Sequence, residues 1–569
     1  MAKSINSEKR LITAALPYIN NIPHLGHIVG SHLPADIFAR YCRLKGYETL
    51  FVGGSDENGS PCELAAEKIG VPLKKFLDKL HKEHKKIYDW FGISYDNFSR
   101  TSSEIHKLTT QEIFKQIYDS GFIKKGKIKV FYSLKEDRFL PDRYVVGTCP
   151  KCGYIEANGD QCEKCTEMLD PTELINPKSA VTSSEVEIRE VEHLFLDLER
   201  LSPKLKKWIQ KQKIWRTQVS SLALGWIKEG LHSRCITRDL KHGVPVPLKG
   251  FEDKVFYVWF DAPIGYVSAT KEIASNWRDY WQKDSSKTYQ FLGKDNIPFH
   301  TIFWPGMIMA SGRLNLPYNV VGLQYLNYEG GKFSKSKKRG VFCERLPGLG
   351  VDADVWRAYL TQIIPETTDS EFKWKEFQER INSDIIGNLG NFYNRVFTFI
   401  QNKFEGEIIK PSDKELDKFD KQLIKDLKEH HKKIEEYLEN CEIRKSFAEL
   451  LVLSSKGNKY FNDTEPWKEI DKNPSVAKKR LYLCAGLARA LSIMVSIYMP
   501  SIACKAWKQL NLSKSPLQRY LWDSAGIIEL PHKHKIGKPE RLFNIIKDED
   551  IEKYKEIVAQ GTELADLFK

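Results

Sequence analysis

Leu11-Ile12-Thr13-Ala14-Ala15-Leu16-Pro17-Tyr18, followed by His24-Leu25-Gly26-His27 and a run on to Lys45-Gly46, is the stretch on which the fold turns. Leu11 to Leu16 is an apolar run that reads as a strand. Leu25 to Lys45 carries apolar residues at helical spacing until Gly46 stops it. Thr49-Leu50-Phe51-Val52 then reads as a second strand and runs into Gly53-Gly54-Ser55-Asp56. Strand, loop, helix and strand predict the βαβ start of an α/β, Rossmann-type nucleotide-binding domain, with its ligand groups at strand ends. No G-x-G-x-x-G fingerprint occurs, which argues against a dinucleotide cofactor.

The motif His24 to His27 opens the predicted helix. Unpaired N–H groups and a partial positive charge favour an anion there, and the two imidazoles add side-chain donors. Gly26 leaves room for a flat base. Far along the chain, Lys332-Phe333-Ser334-Lys335-Ser336 puts ammonium groups on a loop rich in Gly, Ser and Lys, suited to charge that develops on phosphate as a bond breaks. Either motif alone is common in turns and solvated loops. Together, in this order, they point to the polyphosphate of a nucleotide.

Composition agrees. The 569 residues, 41% hydrophobic and 12% aromatic, are enough for several packed domains. A net charge of +13 suits a polyanionic partner such as RNA. Met1-Ala2-Lys3-Ser4-Ile5-Asn6 lacks the apolar core of a secretory signal. Leu481 to Met499 is the most apolar long stretch, but Arg489 interrupts it and Pro500 closes it. It reads as a buried bundle helix rather than a membrane span, so a cytoplasmic protein with no membrane partner is expected.

Four of the 11 cysteines fall as Cys149-Pro150-Lys151-Cys152 and Cys162-Glu163-Lys164-Cys165, with Gly153 and Gly159 between the pairs. This spacing looks like a zinc knuckle. Four thiolates leave no position open for water, so the metal is expected to be structural, one per chain. Disulfides are the competing reading; the odd total and the lack of an export signal weigh against them. The other seven, such as Cys42, Cys484 and Cys504, read as small buried hydrophobes.

The paired motifs resemble the signature of class I aminoacyl-tRNA synthetases, with Phe333 where the usual pattern has Met. Ala15-Leu16-Pro17-Tyr18, Tyr257-Val258-Trp259-Phe260-Asp261-Ala262-Pro263-Ile264-Gly265-Tyr266 and Gly293-Lys294-Asp295-Asn296-Ile297-Pro298-Phe299-His300 narrow the resemblance to methionyl-tRNA synthetases. It runs from about Leu11 to about Phe543. The division it implies puts the first half of the catalytic domain at 1–118 and a connective-peptide insertion at 119–231. That insertion holds the knuckle at about 145–170 and, in the family, helps position the tRNA acceptor end. The second catalytic half is 232–330, where Phe256 to Phe260 and Tyr289 to Leu292 read as strands. A linking region with the Lys-rich loop follows at 331–378, then an α-helical anticodon-binding bundle at 379–545 and a tail at 546–569. Within the bundle Ile381, Ile385, Leu389, Phe392, Val396 and Phe399 step by three or four and mark one buried stripe.

The same resemblance implies site residues. Asp56 would hold the methionine ammonium group. Leu16, Tyr18, Trp259, Ala262, Pro263, Tyr266 and His300 would wall the side-chain pocket, aromatic faces suiting a polarizable thioether. Asn296 stands where some relatives have an aliphatic residue. His24, Gly26, His27, Gly293, Asp295, Lys332 and Lys335 would bind ATP, with Asp295 on the ribose and Mg²⁺ arriving with the nucleotide. His24, His27, Lys332, Lys335 and Arg238 would serve catalysis. Asn391 and Arg395, four apart on one helix face, and Trp467 would read a CAU anticodon. The implied activity is a methionine–tRNA ligase acting on initiator and elongator tRNA(Met), and a monomer is expected. Two alternatives compete. The insertion is too short for the editing domain of leucine, isoleucine or valine enzymes, and cysteine enzymes use zinc in the active site. A silent tRNA-binding scaffold predicts decay of the ATP motifs, which are intact.

Overall fold

The structure, a computed structural model, describes residues 8–569 apart from 160, 166, 168, 332, 334–338, 514, 519–520 and 560–562. Five parallel strands form the central sheet: β1 (Lys9–Ala14), β2 (Glu48–Ser55), β3 (Asn97–Arg100), β4 (Ser286–Gly293) and β5 (Asn319–Leu323). Their spatial order is β5-β4-β1-β2-β3, with Lys9 opposite both Ser286 and Glu48. Leu11 and Ile12 are completely buried, as expected of a parallel strand covered on both faces. The order reverses between β1 and β4, and in open sheets of this kind the crevice beyond the carboxyl ends at that reversal is where ligands bind.

The helix after β1 ends on Gly46, in the left-handed conformation at φ 100°, where a residue without Cβ is favoured. One feature of it was not predicted: Ile28–His32 is π-helical, and the Leu33 N–H reaches back to the Ile28 carbonyl. Pro34 follows, with no N–H to continue the regular ladder. A second π segment, Phe299–Phe303, also precedes a proline, Pro305. Both segments face the site described below, where π-bulges concentrate.

Between β3 and β4 the described residues build two smaller sheets of three or more strands and one two-stranded ladder. One has four strands, in the order Arg234–Cys235, Glu187–Leu196, Ile123–Ser133 and Arg138–Leu140; the other combines Ala157–Asn158, Val145–Thr148 and Ile175–Ser179. The expected strand Phe256 to Phe260 is not one. Val255–Phe256 makes a two-residue ladder with Thr237–Arg238, and Val258–Asp261 is helical. Phe256 on the ladder and Phe260 on the helical turn stack at 4.9 Å; in a short buried apolar run periodicity alone does not separate the two forms.

Beyond Arg380 the described residues are mainly helical, with one short ladder between Glu407–Ile408 and His534–Lys535. Ile381, Ile385, Leu389, Phe392 and Val396 are buried in one line, with Phe399 half-buried. The long helices Lys418–Glu439, Ile443–Thr464 and Pro474–Val495 pack beside it. The last of these ends at Val495, short of Met499, and Arg489 bonds the Ser524 carbonyl and hydroxyl at 3.0 Å. No described helix is long and apolar enough to cross a membrane. Cys42 and Cys484 are buried, but Cys504 is exposed. Helix Pro500–Gln509 buries Ile502, Ala503 and Ala506, which turns position 504 outward.

Candidate active site

A cavity of about 430 Å³ opens beyond the carboxyl ends of β1, β2, β4 and β5, lined among others by Leu16, Tyr18, His24, Gly26, His27, Asp56, Trp259, Ala262, Tyr266, Gly293, Asp295 and His300. Leu16 and Tyr18 leave β1, and Tyr18 pairs with Asp56 just past β2. Gly293 and Asp295 follow β4. Twelve of the residues expected from sequence thus meet in one space. Pro263 and Arg238 do not line it. Pro263 caps the helix Ile264–Ile273, and Arg238 stacks on Tyr257 at 3.7 Å in an adjoining cavity that shares Trp259 as a wall. Lys332 and Lys335 lie outside the described residues.

The histidine motif is more constrained than donors at a helix end. The Gly26 N–H donates to His24 Nδ1 at 3.0 Å, and the His24 N–H donates to His27 Nδ1 at 3.1 Å. Both rings therefore keep their proton on Nε2, the only donor left on each. A Cβ at Gly26 would stand 2.7 Å from the His24 ring, so glycine here makes the cap possible. Burial holds His24 well below the ordinary imidazole range, helped by His27, and brings His27 to about 4. Neutral donors result at physiological pH.

The two signatures meet. His24 bridges Phe342, the Leu25 N–H reaches the Val341 carbonyl at 3.2 Å, and the Cys343 N–H reaches the Pro23 carbonyl at 3.0 Å. Phe333, the departure from the usual Met, stacks on the His24 ring at 4.5 Å and 11°. Gly293 has nothing within 4 Å of where a Cβ would sit; it keeps the cavity open.

The acid at the cavity is poised for a cation. Asp56 is 4% exposed, and its Oδ1 has no hydrogen-bond partner. Burial pushes its pKa well above the carboxylate range, and the neighbouring Asp261 adds to this. His300 donates from Nδ1 to the Asn296 carbonyl at 2.9 Å, which leaves Nε2 to accept from Tyr266 Oη at 2.9 Å. Burial brings His300 to about 4, so that wall carries no charge, and the Asn296 backbone serves to orient it. Sequence reasoning missed Phe299, edge-on to Trp259 at 5.8 Å, and Tyr325, whose hydroxyl bonds the Asp295 carboxylate. A third omission is His32, whose Nδ1 lies 2.5 Å from Tyr95 Oη. His32 and Tyr325 sit in no motif with chemical spacing and come in through a π turn and the β5 end; Phe299 sits in the Gly293 to His300 motif but was not singled out there.

Because His27 and His300 titrate near 4 when folded and near 6.5 when unfolded, the unfolded chain takes up protons between those values that the folded chain refuses. Stability is complete above pH 6.5 and is lost as pH falls towards 4. The melting temperature should drop over that window, and His27→Gln should reduce the slope; an unchanged slope would mean that His27 is protonated in the fold.

Away from the cavity, Cys149, Cys152, Cys162 and Cys165 hold their sulfurs within 4.8 Å of one another, with Cys149 to Cys165 at 3.9 Å and Cys152 to Cys162 at 3.6 Å. A tetrahedron with metal–sulfur bonds of about 2.3 Å has edges of roughly 3.8 Å. The cluster could hold a metal ion.

In the bundle, the Asn391 amide donates to Asn458 Oδ1 at 3.3 Å, and Arg395 donates to Asn462 Oδ1 at 2.7 Å while lying over Phe461 at 4.6 Å. The Trp467 ring is 5.7 Å from Phe461 and 38% exposed. Helix Ile443–Thr464 thus presents Asn458 and Asn462, one turn apart, beside the expected residues. Sequence reasoning did not single them out.

Residues 10–397 match the model for class I tRNA synthetases of the methionine type, and residues 410–563 match the anticodon-binding domain of methionyl-tRNA ligase. A methionine–tRNA ligase of Acaryochloris marina is 42% identical, covering 95% of this chain and 97% of its own. The chain belongs to the methionyl-tRNA synthetase family. Another methionine–tRNA ligase, of Sulfolobus acidocaldarius, is 40% identical over 95% of both chains. A Mycobacterium tuberculosis methionyl-tRNA synthetase, solved with methionyl-adenylate, superposes with a TM-score of 0.78 over 94% of this chain at 22% identity, so the shared fold extends to a distant member. As a family member the chain is an aminoacyl-tRNA synthetase with an anticodon-binding domain.

Proposed function

We propose that the chain joins L-methionine to tRNA(Met), initiator and elongator, in two steps within the cavity at the β1/β4 reversal. The observation that carries this reading is the docking of the second signature on the first, Phe333 on His24, over a buried acid whose Oδ1 has no partner. Asp56 would receive the methionine ammonium, and Leu16, Tyr18, Trp259, Ala262, Tyr266 and His300 the thioether, with Pro263 behind that wall. ATP would lie over Gly26 and Gly293, its ribose on Asp295, its phosphates on His24 and His27 and on Lys332 and Lys335 of the loop, with Arg238 acting from the neighbouring cavity. Mg²⁺ would arrive on the nucleotide phosphates.

The methionine carboxylate attacks the α-phosphorus in line and pyrophosphate leaves. The protein's contribution is alignment, together with donors aimed at charge that develops in the transition state. The terminal ribose hydroxyl of tRNA then attacks the adenylate carbonyl, giving methionyl-tRNA and AMP. The division 1–118, 119–231, 232–330, 331–378, 379–545 and 546–569 assigns these tasks to successive parts of a cytoplasmic monomer.

The thiolate set fits zinc as a structural ion, because four sulfurs leave no open coordination position. Purified protein should carry about one zinc per chain, and Ser at any of the four cysteines should release it and loosen the insertion. A folded, metal-free protein with full charging activity would remove that role.

The anticodon reading has its own test. Trp467→Ala should leave methionine-dependent pyrophosphate exchange nearly intact, because that reaction needs no tRNA, and lower kcat/KM for a CAU-anticodon tRNA. A stacked base contributes about 1 to 3 kcal/mol, so the loss is roughly ten- to a hundredfold. Equal loss of both reactions with a lowered melting temperature would mean that Trp467 supports the bundle and the reader lies elsewhere.

A further inference from the structure

Arg238, assigned above to the catalytic step, lines a second cavity of about 610 Å³ that shares Trp259 with the first. A guanidinium on a flexible stem needs something to aim it, and its neighbours in the chain supply this. The antiparallel pairing of Arg234–Cys235 with Phe195–Leu196 continues as the Ile236 N–H reaches the Leu194 carbonyl at 2.8 Å, and this register brings Thr237 beside His193. His193 is 1% exposed and belongs to the inserted segment, on the strand Glu187–Leu196. Its Nδ1 is 2.9 Å from Thr237 Oγ1, and its Nε2 faces Asp239 Oδ2 at 3.0 Å. One buried ring thus contacts the residues immediately before and after Arg238.

The ring is itself held. Thr237 Oγ1, fully buried, accepts the Leu194 N–H at 3.1 Å, so its own hydrogen is left for Nδ1, and the ring proton sits on Nε2, towards the carboxylate. Lys254, 6% exposed, bonds the other carboxylate oxygen, Asp239 Oδ1. A buried polar network of this kind fixes one arrangement of its members. Arg238 is tied into the same frame: its guanidinium stacks on Tyr257 at 3.7 Å and donates to the Thr237 carbonyl at 2.9 Å, and the Tyr257 N–H reaches the Ile236 carbonyl at 2.8 Å.

We propose that His193 is a positioning residue for methionine activation: by holding Thr237 and Asp239 on either side of Arg238, it aims that guanidinium at the substrates. It moves no proton in the reaction and acts only through Arg238. The inference rests on the reading of the cavity given above and extends it to a residue of the insertion. The inserted segment thereby takes part in the first chemical step, before tRNA is needed.

A double-variant cycle in methionine-dependent pyrophosphate exchange, run on the full-length protein, tests this. His193→Ala should lower kcat by up to about a hundredfold, the scale for a displaced group, with the methionine KM little changed. In an Arg238→Ala background the same substitution should cost nothing further. Thr237→Val and Asp239→Asn keep the side-chain shape and release one side of the ring each; they should lower kcat less, vanish in the same background, and carry the test if His193→Ala does not fold. Losses from His193 and Arg238 that multiply, or normal exchange in Arg238→Ala, would overturn the inference, as would a loss spread equally over kcat, methionine KM and melting temperature. The unsubstituted protein separates this from the reading beneath it: without methionine-dependent exchange there both fall, whereas exchange that persists with multiplying losses removes only the role of His193.

Discussion

Asp56→Asn is expected to raise the methionine KM in pyrophosphate exchange by about a hundredfold with a smaller change in kcat. The acid is nearly fully buried, has an unpartnered oxygen and sits beside Asp261, so its charged form is disfavoured in the free protein. An incoming ammonium reverses this, because it supplies both a hydrogen-bond donor and the compensating charge. Hydrogen bonds to charged groups are worth about 1.5 to 3 kcal/mol, and the upper end, apt for a desolvated pair, corresponds to roughly a hundredfold. Asparagine keeps the shape and the hydrogen-bonding capacity but not the charge, so the fold should survive. A methionine KM unchanged in a folded Asp56→Asn protein would take this carboxylate out of the binding site.

His24→Ala should show the opposite division. Its ring lines the cavity while its Nδ1 is committed to the Gly26 N–H, so under the proposed mechanism its Nε2–H would meet the phosphate charge that develops as the bond to pyrophosphate breaks. Loss of one preorganised donor of this kind costs about 2 to 4 kcal/mol of transition-state stabilisation, or roughly thirty- to a thousandfold in the rate of adenylate formation. Methionine affinity should move little. The substitution also removes the ring on which Phe333 stacks, so part of the loss would come from that lost contact. Phe333→Ala, which leaves the donor in place, separates the two contributions. Single-turnover adenylation decides the matter: near-normal rates in His24→Ala would mean that the motif serves only as a helix cap.

The sheet was legible because its first strands are fully buried and apolar and its first helix ends at a glycine that needs positive φ. Leu11, Ile12, Phe51 and Val52 declare a parallel core without reference to the rest of the chain. Phe256 to Phe260 was misread because two phenylalanines four apart, in a run too short to have a period, fit a buried turn as well as a strand. The π segments were not legible: Pro34 and Pro305 hint at irregularity, but which carbonyls shift their partner depends on the surrounding packing. In the site, residues within motifs came together, Phe299 among them although it had not been singled out, while His32 and Tyr325 arrive from backbone geometry that motif reading does not see. The bundle behaved likewise. Asn391, Arg395 and Trp467 were named through resemblance, and their actual neighbours Asn458, Phe461 and Asn462 follow only from how helix Ile443–Thr464 packs.

Exchange of labelled pyrophosphate into ATP, run with each standard amino acid in turn and no tRNA, tests the central claim most directly. It requires the cavity, the buried acid and both signatures to act together, and nothing from the bundle. The account predicts exchange with methionine far above every other amino acid, retained in Trp467→Ala and collapsing in His24→Ala. Exchange driven by another amino acid, or none with methionine in folded protein, would contradict it.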